Sequence, residues 1–139
     1  MLISRLKQLF SYFFEKYDIL NNNEVKSVLS TEEYIFFDKM DNYDKLHSFK
    51  LYKKTLVNPL LKNDTNYLKL ALLHDSAKGH NSFYERMIEV TFKKSKLSNH
   101  GHRAFENLKN INFEVAKLCK IHHTDSNDIK MKEFQKLDD

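Results

Sequence analysis

The sequence contains few of the residues that build tight turns, disulfides and cysteine-based metal sites. Its 139 residues include two glycines, one proline, one cysteine and no tryptophan. A β-sandwich or a barrel needs many tight turns, so both are disfavoured. The single Cys119 excludes a disulfide scaffold and a cysteine-based zinc knuckle, and it favours a reducing compartment. The composition predicts a single, soluble, all-α domain in the cytoplasm.

The sequence also lacks a strong excess of charge of one sign. The formal net charge is +4, and arginine contributes only three of the 23 basic residues. This mild positive charge suits a small anionic ligand such as a phosphate ester, but it makes no strong case for nucleic acid. An RNA-binding helical domain is an alternative that rests on charge alone, including Lys93, Lys94 and Lys96.

Residues 1–20 are predicted to form an amphipathic helix that packs on the rest of the domain. Apolar side chains recur at helical spacing from Leu2 to Tyr17, with charged residues between them. Charges at Arg5 and Lys7 are among those that leave no stretch long enough for a transmembrane segment. Contact of this helix with a membrane surface is the alternative to packing.

Residues 30–139 are predicted to form the main domain, and the expected architecture is a compact bundle of six or seven helices. Ser30 and Glu33 have the spacing of a capping box at a helix start. The most hydrophobic stretch, residues 67–73, is predicted to be the central helix and to run on to Lys78, where Gly79 ends it. Another helix is predicted from Asn81, followed by the lysine-rich loop.

Seven histidines stand out in this composition, and the central helix leads directly into His74 and Asp75. Burying these two side chains costs free energy unless they have polar partners or a metal ion. Imidazole and carboxylate ligands suit Mn, Fe, Co, Ni, Zn or Mg ions, and sites of this kind form between the helices of a bundle. The candidate ligands are His47, His74, Asp75, His100, His122, His123 and a late aspartate.

Several of these residues occur in an order that resembles the HD-domain superfamily of metal-dependent phosphohydrolases. Residues 71–78, Ala-Leu-Leu-His-Asp-Ser-Ala-Lys, are similar to the signature helix of that family, although Ser76-Ala77 replaces its common Ile-Gly. The Gly-Tyr-Pro signature of its cyclic-dinucleotide phosphodiesterases is absent. The resemblance covers residues 30–139, through segments 44–48, 71–78, 100–101, 121–123 and 131–139.

The resemblance implies a metal site and the residues that serve it. It assigns one divalent metal to four ligands, and it also gives Asp75 a bridging or proton-handling role in catalysis. It favours Asp138 over Asp139 as the last ligand, because residues 134–138 are similar to the apolar run before that ligand. Asp125 and Asp128 are the alternatives. The four implied ligands are His47, His74, Asp75 and Asp138.

The resemblance also implies roles around this first metal. Lys78 matches a position near the substrate phosphate or paired with the aspartate, and His100, His122 and His123 match the histidines that hold a second metal in some branches. Lys78 and Arg103 are the predicted substrate-binding cations, because a positive charge offsets that of phosphoryl oxygens. His102 is expected to be an exposed neighbour.

These expectations lead to a functional prediction with one alternative. The expected activity is metal-dependent hydrolysis of a phosphate ester or anhydride, with a nucleotide as the expected substrate class and a metal-activated water as the nucleophile. The alternative is a non-catalytic module of the same fold that binds metal or acts as a scaffold. In that case the first helix would contact a partner or a membrane. The sequence does not predict an oligomeric state.

Overall fold

The computed structural model describes residues 2–79 and 100–138, and all regular secondary structure in these residues is helical. The all-α prediction is therefore confirmed. A short 3-10 turn at Ile19–Asn21 precedes the second α-helix. The α-helices, numbered within the described residues, are α1 (Leu2–Phe14), α2 (Asn22–Val28), α3 (Thr31–Asp38), α4 (Asn42–Val57), α5 (Thr65–Leu73), α6 (His100–Leu108), α7 (Phe113–Ile121) and α8 (Ile129–Asp138).

The described residues thus contain eight α-helices, more than the six or seven expected. The additional element is α2. Its sequence begins with asparagines, which predict a break between helices and not a helix. It forms because Val25 is fully buried, so tertiary packing outweighs the weak helix preference of asparagine. The helix predicted from Asn81 and the lysine-rich loop at 93–96 lie outside the described residues.

The capping box at the start of α3 is confirmed and also anchors the bundle. Ser30 Oγ accepts a hydrogen bond from the Glu33 amide at 3.2 Å, and Glu33 Oε1 accepts one from the Ser30 amide at 2.7 Å. Lys69 Nζ and Asn112 Nδ2 each donate to the Glu33 carboxylate at 2.8 Å. Burial raises the pKa of Glu33, but these bonds outweigh it and lower that pKa. The carboxylate therefore joins α3, α5 and the start of α7.

The core is centred on α5, as the sequence predicts. Leu70, Ala71, Leu72 and Leu73 are all fully buried. Around α5 lie α2, α3, α4 and α7, while α6 packs on α7 and α8 packs on α4. Four consecutive buried residues indicate a helix enclosed on every side, and a polar group at its end is consequently shielded from water.

The regular α-helix ends earlier than predicted, at Leu73 instead of Lys78. Beyond this point the amide of Ser76 donates to the Leu73 carbonyl at 2.9 Å, and that of Lys78 donates to the Asp75 carbonyl at 3.1 Å. These i to i+3 bonds form tighter turns, in which side chains three positions apart lie over one another. Gly79 then adopts a φ of +75°, which glycine tolerates without strain.

Helix α1 differs from the rest of the molecule in its exposure. It contacts α4, and Lys50 Nζ on α4 lies 2.5 Å from Glu15 Oε2 just after α1. Apolar side chains along α1 are nevertheless exposed, with Phe14 at 78% and Ile3 at 70%. Among the described helices, none combines the length and the hydropathy that crossing a membrane requires.

Candidate metal centre

The ends of several helices bring the predicted ligands together on one side of the core. His47 lies in the second turn of α4, and His100 is the first residue of α6. His74 and His122 follow the last residues of α5 and α7, and Asp138 ends α8. The C-terminal end of a helix carries a partial negative charge, so the meeting of three such ends favours a cation.

The first ligand group consists of His47, His74, Asp75 and Asp138. His74 Nε2 lies 3.3 Å from Asp75 Oδ2 and 3.4 Å from Asp138 Oδ1. His47 Nε2 lies 3.0 Å from Asp138 Oδ1 and 3.8 Å from Asp75 Oδ2. The structure therefore brings together all four residues that the resemblance implies as ligands of one metal.

The second ligand group consists of Asp75, His100, His122 and His123. His100 Nε2 lies 3.3 Å from Asp75 Oδ1, 3.3 Å from His122 Nε2 and 3.1 Å from His123 Nε2. His123 is at the exposed edge of this group, and the other three residues are buried. Asp75 belongs to both groups, with Oδ2 facing the first and Oδ1 facing the second.

Backbone carbonyls fix the orientation of two of the imidazoles. His74 Nδ1 donates to the Ala71 carbonyl at 3.0 Å, and His122 Nδ1 donates to the Cys119 carbonyl at 2.5 Å. Because Nδ1 of each ring is held by a carbonyl, Nε2 is the atom that faces the centre, and it offers a lone pair to a metal once it carries no proton.

Burial and neighbouring charges shift the pKa values of His74 and Asp75 in opposite directions. Burial lowers the pKa of His74, but the Asp75 and Asp138 carboxylates outweigh it and hold that pKa well above its usual value. Burial raises the pKa of Asp75, but His74 and Lys78 hold it well below the usual range. Burial, assisted by the neighbouring His74, also lowers the pKa of His122.

Two further ligands, Asp138 and His123, also have shifted pKa values. The pKa of Asp138 is held well below its usual range, because the charge of His74 and the hydrogen bond with His47 outweigh its burial. Partial burial and the nearby His100 lower the pKa of His123 to about 4. The centre thus presents ionised carboxylates beside the neutral imidazoles of His122 and His123, the protonation states in which these side chains bind metals.

Two buried atoms in the centre have ion-pair contacts of 3.3 to 3.4 Å but no hydrogen bond of good geometry among the described residues. They are His74 Nε2 and Asp75 Oδ1. Well-formed hydrogen bonds normally satisfy buried polar atoms, so the convergence of these two atoms needs an explanation. A cation between the converging nitrogen and oxygen atoms supplies it, and the buried His/Asp cluster could therefore hold a metal ion.

The other predicted site residues lie at the edge of the centre or away from it. Lys78 Nζ is 3.2 Å from Asp75 Oδ2, as expected for the position three residues after the aspartate. Arg103 is exposed one turn along α6 from His100. His102 is also exposed, at 62% of its side chain, in agreement with its prediction.

The structure also distinguishes among the candidates for the last aspartate. Asp128 accepts a hydrogen bond from the Met131 amide at 2.9 Å and so caps the start of α8, away from the ligands at the other end of that helix. Asp125 is exposed. Asp139 lies outside the described residues. Asp138 is the one of these aspartates with contacts to His47 and His74.

Two supporting residues were not predicted from the sequence. Gly101 allows α6 to approach α7, because a Cβ atom there would lie 2.7 Å from the Cys119 carbonyl oxygen. Gln135 Nε2 donates to the carbonyls of His122 at 3.1 Å and Thr124 at 2.7 Å, which ties α8 to the end of α7. The position of Gly101 directly after His100 was a signal in the sequence that could have indicated its role. Nothing in the sequence distinguished Gln135.

Comparisons with protein-family models, curated proteins and solved structures found no match for this chain. Membership of the HD-domain superfamily therefore stays a prediction from the sequence motifs.

Proposed function

We propose that this protein is a metal-dependent phosphohydrolase that cleaves a phosphate ester or anhydride, with a nucleotide as the substrate class. The observation that carries the proposal is the position of Asp75, whose two carboxylate oxygens face different ligand groups. A carboxylate shared between adjacent cation positions is typical of the two-metal sites that hydrolyse phosphate esters. The first ligand group would hold one divalent ion, and the second would hold another.

A divalent ion held here would lower the pKa of a water molecule and polarise a phosphoryl oxygen. The role of the protein is to fix geometry and charge around it. Asp75 keeps its carboxylate ionised at neutral pH, so it accepts hydrogen bonds and does not donate them. The carbonyls of Ala71 and Cys119 hold His74 and His122 in place.

Two cations are candidates for offsetting the charge of the substrate. The Lys78 ammonium group lies beside Asp75 and brings a positive charge to the edge of the first ligand group. Arg103 is exposed one turn along α6 from His100, which belongs to the second group. Such charges favour the transition state when they are already positioned at the reacting oxygens.

Metal analysis and a substrate panel test this proposal together. The purified protein is supplemented in turn with Mn, Co, Fe and Ni, its bound metal is measured, and turnover is assayed with nucleotides and p-nitrophenyl phosphate. We expect stoichiometric metal binding, of which the equivalent at the first ligand group is lost in His74→Ala, and metal-dependent turnover, abolished in Asp75→Asn. The exposed His102→Ala is the matched histidine control. Absence of stoichiometric metal from the unmodified protein would overturn the proposal.

A non-catalytic metal-binding scaffold is the second candidate, and the exposed apolar side chains of α1 favour it. Phe10 is 63% exposed and Leu2 is 56% exposed, which suits a surface that contacts another molecule. The same panel separates the two functions. Stoichiometric metal without turnover of any substrate supports the scaffold, whereas turnover that depends on both metal and Asp75 supports the hydrolase.

A further inference from the structure

A cleft of about 680 Å³ lies between α1 and α4, beside the candidate metal centre. Its volume is within the range of small-molecule sites in proteins. Its walls combine cationic and aromatic side chains from the two helices with one of the candidate metal ligands. The residues that matter for binding are Lys7, Phe10 and Phe14 from the α1 side and His47, Lys50 and Lys54 from α4.

The cleft is continuous with the first ligand group through His47. The His47 side chain is 16% exposed, and its Nε2 contacts Asp138 Oδ1 in the interior. Lys50 and Lys54 follow His47 at intervals of three and seven residues, which places all three on one face of α4. A molecule in the cleft can therefore meet the candidate metal centre at one end and lysines along the helix.

The charge of the cleft favours an anion. Among the described residues, its lining contains Lys7, Lys50 and Lys54 and one carboxylate, that of Glu15, so three positive charges and one negative charge give a net charge of +2. Lys50 is paired with Glu15 at 2.5 Å, whereas Lys54 and Lys7 are exposed. A phosphate monoester, with up to two negative charges, matches this excess.

The aromatic side chains of the cleft favour a ligand with a flat ring. The rings of Phe10 and Phe14 are stacked, with centroids 6.1 Å apart and planes inclined by 13°. Both side chains remain largely exposed although they line the cleft. Exposed aromatic faces beside a cationic wall are the combination that binds a nucleobase and its phosphate, because every base has a π-face for stacking.

We infer that this cleft is the substrate-binding site and that it takes a nucleoside monophosphate. The phosphate lies toward His47 and the lysines, and the base lies against Phe10 and Phe14. This inference rests on the proposed function, because it takes the candidate metal centre to be the place where the phosphate reacts. It adds a substrate class and assigns a binding role to α1.

Binding to the full chain loaded with Mn tests the inference without turnover. The probe is the AMP analogue in which a methylene group replaces the 5′ oxygen, since its C–P bond resists hydrolysis, and calorimetry measures its Kd. We expect Lys54→Ala to raise this Kd about fivefold through loss of a charge contact. The matched control is Lys53→Ala, because the adjacent lysine pairs with Glu24 and does not line the cleft.

The aromatic part of the site is tested by a second substitution and a second probe. We expect Phe10→Ala to raise the Kd of the AMP analogue about tenfold through loss of stacking, while the Kd of inorganic phosphate is unchanged. Phe113→Ala is the control, since Phe113 is an exposed phenylalanine on α7 outside the cleft. Circular dichroism confirms that each variant is folded.

The outcomes separate this inference from the proposed function. If Lys54→Ala and Phe10→Ala leave the Kd of the analogue unchanged while p-nitrophenyl phosphate is still hydrolysed, the cleft assignment is wrong and the hydrolase stands. It is also wrong if Phe10→Ala abolishes binding to phosphatidylcholine–phosphatidylserine vesicles but not to the analogue. Selective loss of analogue binding in both variants supports the cleft even if no substrate is turned over.

Discussion

The two ligand groups share Asp75, but they are assembled in different ways. His100, His122 and His123 belong to the ends of α6 and α7, which pack directly on each other. His47 and Asp138 lie 91 residues apart, on α4 and α8, and meet only when those helices pack together. The three histidines of the second group therefore depend on one helix pair packed against the end of α5, whereas the first group also needs α4 and α8 to pack together.

The groups also differ in the atoms that they present. The first contains two carboxylates and two imidazoles, and the second contains the shared carboxylate and three imidazoles. Oxygen ligands suit hard ions such as Mg and Mn, and imidazole suits ions such as Zn, Fe, Co and Ni. This difference teaches that one residue, Asp75, lies between two groups of candidate ligands that present different atoms and depend on different parts of the fold.

The largest effect is expected from changing the shared residue. Asp75→Asn removes the charge that faces both groups, so we expect the protein to lose both metal equivalents and all metal-dependent turnover. Elemental analysis after dialysis and a p-nitrophenyl phosphate assay measure the two losses. Asp125→Asn, at an exposed position, is the matched control. Retention of two equivalents by Asp75→Asn contradicts the shared role.

Substitutions confined to one group are expected to remove one metal each. We expect His74→Ala to weaken the first site and His122→Ala to weaken the second, each by about a hundredfold, because a ligand is lost. Isothermal titration should then resolve one tight equivalent in either variant and two in the unmodified protein. If one substitution eliminates both equivalents, the groups do not act as separable sites.

A smaller effect is expected when metal affinity is measured at different pH values. The pH dependence should differ between the two ligand groups, because the pKa values of their histidines are shifted in opposite directions. The pKa of His74 is raised by Asp75 and Asp138, so metal binding to the first group must displace a proton at neutral pH. Affinity should therefore rise about tenfold for each unit of pH increase. His122 and His123 have lowered pKa values and are already neutral, so they release no proton.

The variants that retain one group make this pH comparison direct. Titrations at pH 6, 7 and 8 follow the first group in His122→Ala and the second in His74→Ala. We expect the steeper slope in His122→Ala. Equal slopes in the two variants would show that the raised pKa of His74 does not govern metal binding.

The smallest effect is expected from widening the contact between α6 and α7. In Gly101→Ala the new Cβ lies 2.7 Å from the Cys119 carbonyl oxygen, which also accepts the hydrogen bond from His122. We expect a loss of about 1 to 3 kcal/mol of stability and about fivefold weaker metal binding at the second group only. Thermal melting and titration measure these changes, and Asn107→Ala on the exposed face of α6 is the control. Equal weakening of metal binding at both groups would contradict the expectation that Gly101→Ala affects only the second group.

Much of the fold was predictable because local signals agreed with the packing. Ser30 and Glu33 form the predicted capping box, and the apolar run before His74 is the buried central helix. The early end of α5 was not predictable from Gly79, because the tighter turns after Leu73 form where His74 and Asp75 meet their tertiary partners. A stop signal marks where a helix must end, and it does not exclude an earlier end.

The sequence by itself determined the all-α class, the buried helix that leads to His74 and Asp75, and the set of residues able to bind a metal. Only the tertiary structure decided that Asp138, and not Asp128, meets His47, and that the two oxygens of Asp75 face different groups. The physical reason is one of range. Hydrophobic periodicity and caps act within a few residues along the chain, whereas the approach of helix ends depends on how distant helices pack.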